Sequence, residues 1–146
     1  MNTQRNQQGF TIIEVVLVLA IAALIFLMIF VALPALQASQ RDTARKNDVG
    51  IVSSAVTKFS TSERKPVSSA AGDDVKLRTY IDNLDQYADT DVVIGVVGTA
   101  PVKGKITVYP SARCDGSVAV ADTNARKSAV AIMLDNGKSF YCNDAS

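Results

Sequence analysis

Glu14 stands at the lip of 22 uncharged, mostly apolar positions, Val15 to Leu36, and is preceded by Gly9-Phe10-Thr11-Ile12-Ile13. About 20 apolar residues span a bilayer as a helix, because each rises about 1.5 Å against roughly 30 Å of hydrocarbon. A carboxylate entering such a helix is costly to desolvate unless it faces water, a cavity or a positive charge. The partner it suits best is an amine. The residue's own chemistry leaves a second reading open, since a carboxylate at headgroup depth costs little.

Cys114 and Cys142 are the only cysteines. An even pair beyond an apolar export segment reads as a disulfide formed in an oxidising compartment, which puts the C-terminal part of the chain outside. Closing a loop of that length contributes roughly 3 to 4 kcal/mol in the chain-entropy model. Two free thiols in a cytoplasmic domain is the alternative. A zinc site is disfavoured, because the chain has no histidine and no Cys-x-x-Cys.

Two further clusters could do chemistry. Asp82, Asp85, Asp89 and Asp91 offer the oxygens that Ca²⁺ prefers, but their spacing matches no EF-hand loop and a solvated acidic edge is expected. Lys103, Lys105, Tyr109 and Arg113 combine cations with a stacking ring, the minimum for binding nucleic acid, although solvent-facing strand positions account for them more simply. No catalytic set is visible: histidine and tryptophan are absent, and there is neither a Gly-x-Ser-x-Gly nor a phosphate-binding glycine loop. The expectation is a protein that is not an enzyme and needs neither cofactor nor metal.

The string Gly9-Phe10-Thr11-Ile12-Ile13-Glu14, close to the first residue and running straight into an apolar helix, resembles the processing site of type IV pilins and their relatives. The resemblance implies that a membrane prepilin peptidase cuts between Gly9 and Phe10 and methylates the new N-terminus at Phe10. Residues 1–9 would then be a leader, to be set aside when reading the fold. It also implies that Glu14 neutralises the α-ammonium of Phe10 in a neighbouring subunit as subunits leave the membrane for a helical filament. An unpaired buried charge costs several kcal/mol, so such a pair would select one axial register. Two departures from the family pattern are that Arg5 is the one basic residue of the leader and that Pro34 lies deeper along the helix than expected. A cleaved secretory signal fits less well, since its apolar core is shorter and Leu36-Gln37-Ala38 is a poor exit site.

The elements that must position these residues can be read in order. Ala44, Ile51, Val52, Ala55, Val56 and Phe59 recur at three- and four-residue steps among charged positions, so an amphipathic helix continues the apolar one from Phe10 to Lys65 and stops at Pro66. Pro34 removes a backbone donor and predicts a kink or a melted turn; Gly50 is a second soft point. A filament whose helices unwind at such points would stretch under load, a property that hydrogen exchange across residues 30–38 would read. Residues 66–74 read as a loop ending in an N-cap, followed by a short helix on which Leu77, Tyr80, Ile81, Leu84 and Tyr87 share one face. Asp73 and Asp74 suit the positive end of that helix.

From Val92 the period becomes two. The runs 92–97, 105–109, 117–121, 128–134 and 138–142 read as strands, with Asn136-Gly137 marking a hairpin that puts Phe140 and Cys142 on one face. The fold class is therefore α+β: a long N-terminal helix, apolar in its membrane-spanning first half, packed through its second half on a four- or five-stranded antiparallel sheet. That is also the pilin fold the resemblance implies. The predicted divisions are a leader at 1–9, a membrane or filament-core helix at 10–36, its amphipathic continuation at 37–65, a loop with a short helix at 66–91, and a sheet at 92–146 whose tail, Asn143 to Ser146, is held only by Cys142.

Lys and Arg number 15 and Asp and Glu 14, so the chain is not a strongly basic nucleic-acid binder. Residues 37–65 carry six basic and three acidic side chains, and residues 67–146 eight and ten. Packing between subunits could use this asymmetry, although ordinary solvated surfaces explain it as well.

The resemblance favours a type IV pilus subunit: a precursor in the cytoplasmic membrane, then a homo-oligomer in an extracellular surface filament for adhesion, twitching motility or DNA uptake. Its partners would be the prepilin peptidase, an assembly platform with its ATPases, and a host surface or DNA. Two alternatives are a pseudopilin of a type II secretion or competence system and a monomeric, membrane-anchored extracytoplasmic binding domain.

Overall fold

The computed structural model describes residues 9–135 and 137–145. The expectations placed on residues 1–8, on Asn136 and on Ser146 lie outside the described residues. The chain forms two compact units, one ending at Gln37 and one beginning at Ala38.

The first unit is helical. Helix α1 (Ile12–Ser62) begins in it, and its side chains from Ile12 to Leu36 are almost all exposed. The stretch is long and apolar enough to cross a membrane. A bilayer leaves backbone N–H and C=O groups no partner but each other, so a continuous apolar run of this length is stable there only as a helix. α1 runs through both Pro34 and Gly50 without a break. The melted turn expected at Pro34 is thus absent, and α1 ends three residues before Lys65, the expected last position.

The second unit is three layers deep. The part of α1 that belongs to it buries Val49, Val52, Ala55, Val56 and Phe59. They pack against the mixed sheet formed by β1 (Val92–Ile94), β2 (Ile106–Pro110), β5 (Ser128–Met133) and β6 (Phe140–Ala145), in that spatial order. Ile106 and Val108 of β2 and Val130 and Ile132 of β5 face the helix. The alternate residues, Tyr109, Ala129 and Ala131, face a second small core completed by the hairpin of β3 (Ala112–Asp115) and β4 (Val118–Ala121). β2 and β5 are therefore buried on both faces, which explains why they read as nearly continuous apolar runs.

Four expectations need correction. The sheet has four strands, within the expected number, but β1 pairs with β2 in parallel, Val92 opposite Ile106, so it is mixed rather than antiparallel, and β3 and β4 form a separate two-stranded sheet. The return needed for a parallel pair is made by residues 95–105, a span read beforehand as a simple turn region. β3 is a further strand beyond the expected runs: Ala112-Arg113-Cys114-Asp115 does alternate apolar and charged residues, but only over four positions between Pro110 and Gly116. Helix α2 (Asp73–Arg78) stops before Tyr80; Tyr80, Ile81, Leu84 and Tyr87 reach the core from irregular chain, aided by a 3₁₀ turn at Asp89–Asp91. Its N-cap is Gly72, in a left-handed conformation at φ 96°, and no side chain caps it. Asp73 turns back instead to accept hydrogen bonds from the Ser68 N–H and hydroxyl and from Lys65.

The C-terminal residues are not a free tail. Asn143, Asp144 and Ala145 pair with Val130, Ala129 and Ser128, and Ala145 is buried. β5 and β6 pair antiparallel, and just beyond the pairing Leu134 N–H donates to Ser139 O at 2.9 Å.

Candidate processing and assembly site

The N-terminal site is built on the first turn of α1. Gly9 is exposed, with nothing within 4 Å of where a side chain would project, and Phe10 is 88% exposed. Thr11 takes the N-cap position. Its N–H donates to Glu14 Oε2 at 3.3 Å and its hydroxyl donates to the same oxygen at 3.1 Å. This is the reach-back half of a capping box, in which the third helical residue satisfies the orphan amide of the cap. The helix N-terminus is also where a carboxylate gains from the macrodipole. The carboxylate of Glu14 is thereby aimed toward the chain start, and Phe10, Glu14, Val15, Val18 and Leu19 line one open groove. Thr11 is a site residue that the sequence reading missed, although Thr-x-x-Glu ahead of an apolar run is its signature.

In the second unit Cys114 and Cys142 are disulfide-bonded, with Cα atoms 5.8 Å apart. The bond ties β3 to the edge strand β6, and Cys114 N–H donates to Asp144 Oδ1 at 2.6 Å across the same junction. The charge asymmetry is used within this unit. Asp135, in the β5–β6 loop, bridges Arg41 at 2.7 Å and Arg45 at 2.9 Å, while its N–H donates to Asp42 at 2.7 Å. Lys58 pairs with Asp82, Lys65 with Asp73 and Lys76 with Glu63. Hydrogen bonding to Arg41 holds the Asp135 carboxyl below the usual carboxylate range despite partial burial, with Arg45 assisting. At Asp73 burial pushes the carboxyl up, but Lys65 and Ser68 together outweigh it and the net shift is downward.

A second residue missed from sequence is Asp48. Its side chain is fully buried in α1, and its two oxygens accept the N–H groups of Asp85 at 2.7 Å and Gln86 at 2.8 Å. It pins irregular segment to helix.

The two alternative clusters are resolved by geometry. Tyr109 is buried, its hydroxyl donates to Thr99 O at 2.8 Å, and burial raises its pKa, so it offers no stacking ring to a nucleic acid beside Lys103, Lys105 and Arg113. The solvent-facing position expected for it is thus corrected. Asp82, Asp85 and Asp89 are exposed, and no group of acidic and sulfur ligands among the described residues could hold a metal ion.

A long apolar N-terminal helix with one carboxylate in its first turn, joined to an α+β unit, is a pilin-like architecture. Residues 4–30 match the family model of the prokaryotic N-terminal methylation motif, the processing signal of type IV prepilins. The motif implies a prepilin peptidase and pilus-type assembly machinery, and with the apolar helix it fits a membrane-anchored precursor. It suggests a structural protein. No curated protein and no solved structure matches the chain.

Proposed function

We propose that the chain is the structural subunit of a type IV pilus, cleaved after Gly9, methylated at Phe10 and polymerised through the apolar half of α1 into a surface filament. It is not an enzyme in this reading. The observation that carries it is the methylation motif at residues 4–30 opening an exposed apolar helix whose single carboxylate, Glu14, is held at the first turn. Freed by cleavage, the Phe10 amine of one subunit gives the Glu14 carboxylate of another the cation that a low-dielectric helix bundle otherwise lacks. Thr11 keeps that carboxylate satisfied until the exchange. The disulfide supports an extracytoplasmic second unit, the location a surface filament requires.

The test is Glu14→Ala in the native host, read as surface filaments per cell. A loss of at least tenfold with cleavage intact is expected. Unchanged filament number would remove the charge-pair mechanism, and filaments confined to the cell envelope would assign the chain to a secretion or competence pseudopilus.

A further inference from the structure

α1 ends at Ser62, and the chain turns through Arg64 in a left-handed conformation, φ 54°, before Pro66. Few non-glycine residues adopt that conformation, and here it sets an arginine at the rim of a cleft of about 450 Å³ lined by Ser60, Thr61, Arg64, Lys65, Pro66 and Arg126. No carboxylate lines the cleft. Lys65 is engaged by Asp73, whereas Arg64 and Arg126 are exposed and make no ion pair among the described residues. Among the described residues the cleft thus keeps two cations outside any ion pair.

Elsewhere on the same unit a segment of opposite charge is exposed. Asp85 and Asp89 are exposed and form no ion pair among the described residues. Their segment is fixed to α1 by Asp48, which bonds the backbone of Asp85 and Gln86, so the acidic edge is presented by a pinned backbone. Asp48 and Ser62 are separated along α1 by about 21 Å at 1.5 Å per residue, so edge and cleft sit at different levels of the helix.

We propose that the Arg64–Arg126 cleft of one subunit receives the Asp85–Asp89 edge of a second copy of this chain. The inference rests on the filament reading and deepens it. Two complementary patches at different places on one surface make a heterologous contact, which leaves a cleft at one end and an edge at the other and propagates as an open polymer where the rotation does not close a ring. Exposed ion pairs are individually weak. Their part is to select the register, because a slipped contact would set like charges together.

A charge swap in the full-length protein tests this, with surface filaments counted and membrane levels of subunit measured. Arg64→Glu with Arg126→Glu, and separately Asp85→Lys with Asp89→Lys, are each expected to cut filament number at least tenfold at unchanged membrane level. All four changes together are expected to restore it to within about twofold of the parent, an outcome that misfolding does not produce. Either double variant assembling like the parent, or a fourfold variant no better than the doubles, would overturn the proposal. Arg64→Glu/Arg126→Glu filaments at parental number that no longer adhere to anionic surfaces would overturn it too, assigning the cleft to an anionic ligand. A parent chain that makes no filaments would defeat the filament reading itself.

Discussion

Single residues carry more here than their number suggests. Asp48 is a buried acid whose two oxygens accept from backbone N–H groups 37 and 38 positions away in sequence. Removing it leaves those donors to find water. Asp48→Ala is expected to destabilise the second unit by about 2 kcal/mol, with faster amide exchange at Asp85 and Gln86 before global unfolding. The acid limb of stability belongs to this scale as well. Asp73 and Asp135 both have carboxyl pKa values below the ordinary 3.8 in the folded chain. Groups depressed in the folded state contribute fully above their unfolded pKa and lose that contribution as pH falls through the lower folded values. Urea unfolding of the detergent-solubilised chain is therefore expected to show stability flat above about pH 5 and falling below about pH 4, with Asp73→Asn flattening the fall. Neither role was legible beforehand. Asp48 lies on the apolar face of α1, where a charge in the sequence reads as an irregularity, and its partners are set by a loop whose path no local pattern predicts. Thr11 was legible, as half of a capping box, but the apolar run beside it dominated the reading.

At the scale of elements, the longest local patterns are legible in the sequence. The apolar run and the three-four pattern of residues 44–59 located α1 to within three residues at each end, and Ser128–Met133 announced itself as a strand by β-branched and small apolar residues. What failed depended on distant partners. β1 has three residues and nothing in them chooses a parallel neighbour. β3, Ala112–Asp115, has one fully buried side chain, Ala112, and owes its place to pairing with β4 and to the disulfide. Beyond Leu77, the helical spacing of Tyr80 to Tyr87 reflects burial without helix, since Asp48 satisfies the Asp85 and Gln86 amides that α-helical bonds would otherwise take. Because the disulfide joins the outer hairpin to an edge strand, replacing both Cys114 and Cys142 by Ser is expected to lower stability by about 3 kcal/mol and to loosen β3 and β4 first. Equal loss of protection across β2 and β5 would show that the bond supports the whole sheet instead.

For the molecule as a whole, the two units are suited to different solvents. The first exposes Phe10 and a continuous run of large apolar side chains to Leu36, a surface that water disfavours and that lipid or other copies of the same helix accept. The second buries most of its large apolar residues in two cores and pairs several of its charges within the unit. Such a division fits a membrane-anchored precursor, the starting point of the proposed filament assembly. The most direct test is intact mass and N-terminal sequencing of the protein sheared from cell surfaces. A chain beginning at methylated Phe10, lighter by two hydrogens for the single disulfide, is the expected result. A chain beginning at Met1 and recovered only from the membrane would contradict the account.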